Sequence, residues 1–209
     1  MPGDRIAIVP NPVDLDHVRT RAAETVEPWA ERTKDRRLVV GAGRLIPLKG
    51  YHTLIEALPL LPPDVHAIVM GEGPERAALE SQADRLGVRE RLRLVGDRDN
   101  PWSYMARAEV FAHPSRSEAQ SLAFVEAMTL GIPIVGTSGS AGIRESLEDG
   151  RRGLLVPPAD AQALADAIAR LLAEPALREA LVSRARIAAE EHALSVVADR
   201  HEAILHGSN

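Results

Sequence analysis

The chain contains no cysteine, so disulfides, thiolate-ligated zinc and thiol nucleophiles are excluded. Aromatic residues are scarce. Two Trp, two Tyr and two Phe in 209 residues leave little from which to build a base-stacking platform. Basic charge is not in excess either: 25 Lys and Arg face 30 Asp and Glu, and the net charge of −5 argues against a nucleic acid as partner. No apolar run approaches the ~20 residues that span a bilayer. The opening Met-Pro-Gly-Asp lacks the basic and apolar stretches of a secretory signal, so a cytoplasmic location is expected. What is present, 45% hydrophobic and 26% charged residues, is ordinary globular composition, with chain enough for one sizeable domain.

Strand-length apolar runs alternate with helix-period segments along most of the chain. Strands are expected at Ile6–Pro10, Leu38–Ala42, Val65–Met70, Leu92–Val95, Val110–His113, Ile132–Gly136 and Leu154–Val156. Most are continuously hydrophobic, as a parallel sheet covered on both faces requires. Between them, Tyr51, Leu54, Ile55, Leu58 and Leu61 share one helix face, Leu79, Ala83 and Leu86 another, and Asp160 can cap a helix striped by Leu164, Ala167, Ile168, Leu171 and Leu172. The pattern predicts an α/β fold with a doubly wound, mainly parallel Rossmann-like sheet. Residues 1–36 read as a leading strand and a polar connecting segment, 37–191 as the Rossmann-like domain, and 192–209 as a terminal helix. Two helices, broken near His192–Ser195, are expected after residue 175.

Ligands of such sheets sit beyond the carboxyl ends of the strands, and four loops there carry unusual residues. The run Gly41-Ala42-Gly43-Arg44 to Lys49-Gly50 brings two cations to a helix start. It fails the dinucleotide fingerprint at Ile46, and the candidate ribose acid, Glu72, lies 29 residues beyond Gly43 where about 20 is usual. No Gly-Lys-Ser/Thr is present, which excludes a P-loop. Gly71-Glu72-Gly73-Pro74 is a strand-to-helix turn. The stretch Pro114 to Met128 places Glu118 in a loop and Glu126 inside an apolar helix, where a carboxylate is costly without donors. On one continuous helix the two acids would stand about 12 Å apart, too far for a glycosidase pair at ~5–9.5 Å. Instead they can flank one ligand, with the N–H groups of Ser121 and Leu122 facing an anion. Ser138 to Glu145 is either an anion cradle or a tight turn. The acidic pair Asp14 and Asp16 has no further ligand cluster beside it, and of the seven histidines only His113 lies near these loops.

In order along the chain, these segments resemble the carboxy-terminal, donor-binding half of family-four retaining glycosyltransferases of the GT-B fold. The resemblance runs from Val9-Pro10-Asn11-Pro12-Val13-Asp14 through Gly43-Arg44-Leu45, Lys49-Gly50, Gly71-Glu72-Gly73-Pro74, Ala108-Glu109-Val110-Phe111 and Pro114-Ser115. It continues with Glu118 and Glu126, seven residues between them, then Ala127-Met128, Gly131-Ile132-Pro133, Gly142-Ile143-Arg144-Glu145 and Gly153-Leu154-Leu155-Val156. It implies that Arg44 and Lys49 hold the donor diphosphate and that Glu126 accepts from the ribose hydroxyls. Glu118 would contact the transferred sugar, assisted by Ala119, Gln120, Ser121 and Leu122. Arg44, Lys49 and Glu118 are then the candidate catalytic residues. Neither a metal nor another cofactor is implied, the nucleoside-diphosphate sugar being the substrate.

The sequence departs from the family at Pro12 and Ser121, positions where glycine, or glycine or proline, is common. It is also about half as long as two Rossmann-like halves require. The resemblance therefore implies a partner, an N-terminal acceptor-binding domain or separate subunit, through which any peripheral membrane association would run. The last helix would cross back to that half, leaving Val197, Ile204 and Leu205 exposed here. An epimerase half on the same fold and a non-catalytic nucleotide-sugar-binding module are the alternatives.

Overall fold

A computed structural model describes residues 7–31 and 35–206. Six strands are formed by Arg37–Ala42 (β1), Val65–Met70 (β2), Leu92–Gly96 (β3), Val110–His113 (β4), Ile134–Thr137 (β5) and Leu154–Val156 (β6). They make one sheet in the order β3-β2-β1-β4-β5-β6, and every pairing is parallel. Nine helices are described: Leu15–Ala22 (α1), Tyr51–Ala57 (α2), Arg76–Arg85 (α3), Pro101–Met105 (α4), Leu122–Leu130 (α5), Ala141–Ser146 (α6), Ala161–Ala173 (α7), Pro175–Glu190 (α8) and Leu194–His206 (α9). The doubly wound α/β architecture expected from the sequence is therefore what the chain adopts.

Side chains alternate across a strand, so one buried strand feeds two cores. Val39 of β1 packs with Leu54, Ile55, Leu79 and Ile168 in the layer of α2, α3 and α7. Its neighbours Leu38 and Val40 point the other way, to Phe111, Phe124, Ile143 and Ala188 in the layer of α4, α5, α6 and α8. Strand order reverses between β1 and β4, a switch point beyond whose carboxyl ends such sheets hold their ligands.

The leading segment differs from expectation. Residues 7–12 carry no strand (Ile6 lies outside the described residues); Val13 forms an isolated bridge to Ala193. Part of the supposed connecting segment is helix α1. Asp14 caps it by accepting from His17 N at 2.9 Å, and Leu15, Val18 and Ala22 form a buried stripe, the first two packing with Val125 of α5. Charged residues around that narrow stripe hid its period. Leu86 is exposed beyond the end of α3, and β5 begins at Ile134, two residues later than expected. The break between α8 and α9 falls at residues 191–193, as expected. Val197 is buried, whereas Ile204 and Leu205 are exposed.

Candidate functional site

The loop leaving β1 is held from below. Gly43 N donates to Met70 O at 2.9 Å and Leu45 N to Glu72 O at 2.8 Å, while the Leu45 side chain is fully buried. This anchoring leaves Arg44 exposed at the crest, where no carboxylate pairs with it among the described residues. Gly71 (φ +129°) and Gly73 (φ +159°) lie so close beneath that a Cβ on either would collide with the carbonyl of Gly43 or Leu45. The Gly-Glu-Gly-Pro turn is thus a support for the Arg44 loop. Glu72, the residue a dinucleotide reading would need, is paired with Arg76 at 2.6 Å.

Lys49 ends a short 3-10 turn, and Gly50 (φ +67°) swings the chain into α2. Across the switch point, Ser115 Oγ donates to Leu48 O at 3.1 Å and Arg116 N to the same carbonyl at 2.8 Å, binding the end of β4 to the Lys49 turn. The Lys49 ammonium donates to Glu118 Oε1 at 2.5 Å, and His113 Nε2 lies 2.9 Å from the same oxygen. The three side chains are 19%, 13% and 1% exposed for Lys49, Glu118 and His113. Burial works to raise the Glu118 pKa, but the hydrogen bonds from His113 and Lys49, with the ammonium charge, outweigh it and hold the carboxyl at about 2. Burial pushes His113 down, against the pull of Glu118, so the imidazole is neutral. A carboxylate only accepts, which fixes Nε2 as the protonated nitrogen; buried Nδ1 has no partner. The ring packs against Phe111 and Phe124, with centroids 6.1 and 4.8 Å away.

The backbone of Glu118 is also fixed. Its N–H donates to Ser140 Oγ at 3.0 Å, and that hydroxyl donates back to Glu118 O at 3.0 Å. Gly142 sits where a Cβ would strike the carbonyls of Ala119 and Glu118. The Ser138–Glu145 loop, read from sequence as cradle or turn, is in fact a brace for the Glu118 loop. Ser121 is the buried N-cap residue of α5 without a side-chain capping bond, Leu122 is exposed, and Gln120 Oε1 accepts from Asn11 N at 3.1 Å.

Glu126 does not join the Lys49–Glu118–His113 cluster. It lies on the second turn of α5, largely buried, and burial pushes its carboxyl up; the Trp102 indole N–H nearby pulls the other way. That N–H has no hydrogen-bond partner within range. The hydroxyl of Tyr51 is likewise buried and unpartnered, and burial raises its pKa. Among the described residues no three His, Cys, Asp or Glu side chains come together as metal ligands, and no helix is long and apolar enough to cross a membrane. Asp14 serves as a helix cap and Asp16 pairs with Arg19 at 3.2 Å. Sequence reading singled out His113 without a role; its signal was position, at a strand end five residues before Glu118.

A parallel sheet with charged groups converging at its switch point defines a ligand-binding Rossmann-like domain. The chain belongs to the glycosyl transferases group 1 family, whose model matches residues 24–188. It is 37% identical over 150 residues to the lipopolysaccharide core biosynthesis glycosyltransferase LpsE of Rhizobium meliloti, covering 72% of this chain and 44% of that protein. Over 172 residues it is 33% identical to the alpha-D-kanosaminyltransferase of Streptomyces kanamyceticus, covering 79% and 44%. The structure of Anabaena HepE in complex with UDP-glucose superimposes with a TM-score of 0.83 at 27% identity, over 96% of this chain and 57% of that one. The fold is thus one half of a GT-B architecture, and the chain spans about half the length of the curated relatives it matches.

Proposed function

We propose that the chain is the nucleotide-sugar donor-binding half of a retaining, metal-independent glycosyltransferase that moves a hexosyl group from a nucleoside-diphosphate sugar to an acceptor held by an N-terminal half. The observation that carries this reading is an exposed Arg44, without a carboxylate partner among the described residues, on the same loop as the Lys49 that contacts Glu118 at the switch point. A diphosphate arriving there meets two cations from one loop and the N–H groups at the start of α5. Arg44, and Lys49 once it exchanges Glu118 for the phosphate, offset the negative charge that grows on the departing nucleoside diphosphate, the task a divalent metal performs elsewhere. Glu118 accepts from a hydroxyl of the transferred sugar, beside the backbone of Ala119 to Leu122. Glu126 accepts from the ribose hydroxyls, which gives a desolvated carboxylate the donors its environment lacks. Retention of configuration and the acceptor half rest on the family resemblance, and the HepE complex with UDP-glucose supports a nucleotide-sugar ligand.

Thermal melting across uridine, guanosine and adenosine diphosphates and their sugars, with and without chelator, tests the reading. A ligand at a hundred times its Kd adds about 2.7 kcal/mol of stability. At least one nucleotide sugar is expected to raise the Tm, and the rise should persist in chelator. No shift with any of them would contradict donor binding; a shift abolished by chelation would contradict the metal-free site.

A further inference from the structure

Glu118 Oε1 accepts from Lys49 and from His113 at once, while its second oxygen has no partner among the described residues. The two donors differ in kind. Lys49 is a partly exposed ammonium on a flexible stem, at the rim of a loop whose crest carries Arg44. His113 is buried, belongs to β4, and packs against two phenyl rings. A bound diphosphate competes with Glu118 for Lys49, because the ammonium is the mobile cation of the pair. Without a second donor, Glu118 would then lose its orientation when a sugar hydroxyl needs it.

We propose that His113 is a positioning residue for Glu118: its Nε2–H keeps the carboxylate oriented toward the sugar once Lys49 has moved to the diphosphate, and so contributes to sugar recognition without touching the donor. The proposal deepens the donor-binding reading and rests on it. The bare Nδ1, enclosed by apolar rings, keeps the proton on Nε2, so the imidazole presents a fixed donor. Glu118 is held through its backbone by Ser140 and through its side chain by His113, which leaves Lys49 as the exchangeable contact.

Calorimetric titration of the chain with UDP and with UDP-glucose, in the wild type, His113→Leu, His113→Gln, Glu118→Gln and the His113→Leu/Glu118→Gln double variant, tests it. The readout is the ratio of the two affinities. His113→Leu is expected to lower the gain from glucose about tenfold while UDP affinity stays within about twofold, since a hydrogen bond to a charged group is lost from the sugar side alone. His113→Gln, whose amide nitrogen can reach the place of Nε2, should restore much of that gain. In the Glu118→Gln background His113→Leu should add little further loss. Equal losses for UDP and UDP-glucose, an unchanged ratio, or additive losses in the double variant would overturn the proposal. The imidazole 15N spectrum of the ligand-free chain is a separate check that needs no nucleotide. A proton on Nδ1 at neutral pH would overturn the proposal even if donor binding stands, whereas wild-type binding of no nucleotide sugar, with Nε2 protonated, would overturn both the donor-binding reading and the role built on it.

Discussion

Glu118 and Glu126 are both carboxylates of one nine-residue stretch, yet their environments drive them apart. Glu118 is held at about 2 by two donors, while burial beside Trp102 pushes Glu126 up. A carboxyl that binds its proton more readily when folded contributes most stability below its ordinary pKa of 4.5 and loses it as pH rises through the folded value. Replacing Glu126 by Gln removes that loss. At pH 7, Glu126→Gln is therefore expected to melt at the same or a higher temperature than the wild type, while its affinity for a nucleotide sugar falls about ten- to a hundredfold. Differential scanning calorimetry with a titration checks both; a destabilised variant with unchanged affinity would make Glu126 a structural acid. The residue types of this site were legible in the sequence because a lone charge in an apolar helix is conspicuous. The Glu118–His113 contact was not: position marked His113 among the seven histidines, but spacing does not tell that its ring meets the carboxylate.

At the scale of elements, glycines set how closely the loops approach one another. The Gly71–Gly73 turn lies under Gly43–Leu45, and Gly142 lies against Ala119 and Glu118. These contacts run between backbones, so they left no charge or period in the sequence: the first segment reads there only as a strand-to-helix turn, the second as cradle or turn. Gly142→Val is expected to destabilise the chain by about 1–3 kcal/mol, as overpacking does, and to weaken sugar recognition through the displaced Glu118 loop. Chemical denaturation and a nucleotide-sugar titration measure the two effects; a variant with wild-type stability and binding would remove the brace from the account. Helix α1 was missed for a related reason. Its stripe of Leu15, Val18 and Ala22 is too narrow to stand out among charges, and tertiary packing on α5 rather than propensity makes the helix. The continuous apolar strands, by contrast, announced a parallel sheet because burial on both faces leaves no alternation to obscure.

For the whole molecule, the winding order matters most. In a sheet ordered β3-β2-β1-β4-β5-β6 the winding reverses between β1 and β4, and that reversal brings the Arg44–Lys49 loop and the Glu118 loop together at one end, where they bond to each other. Sequence reading reached this point because the strand and helix rhythm and the right-handed crossover rule together allow few topologies. It misjudged the chain ends, where Val197 is buried rather than exposed, although Leu205 remains 75% exposed at the last helix. The chain spans about half the length of its curated relatives, and donor capture is the function proposed for it. The most direct measurement of that claim is calorimetric titration of the tightest-binding nucleotide sugar into the wild type, Arg44→Ala and Arg44→Ala/Lys49→Ala. Each charged contact removed should cost about tenfold or more, with the wild-type fold retained in Arg44→Ala because that side chain pairs with no carboxylate among the described residues. Affinity unchanged in the double variant would contradict the account at its centre.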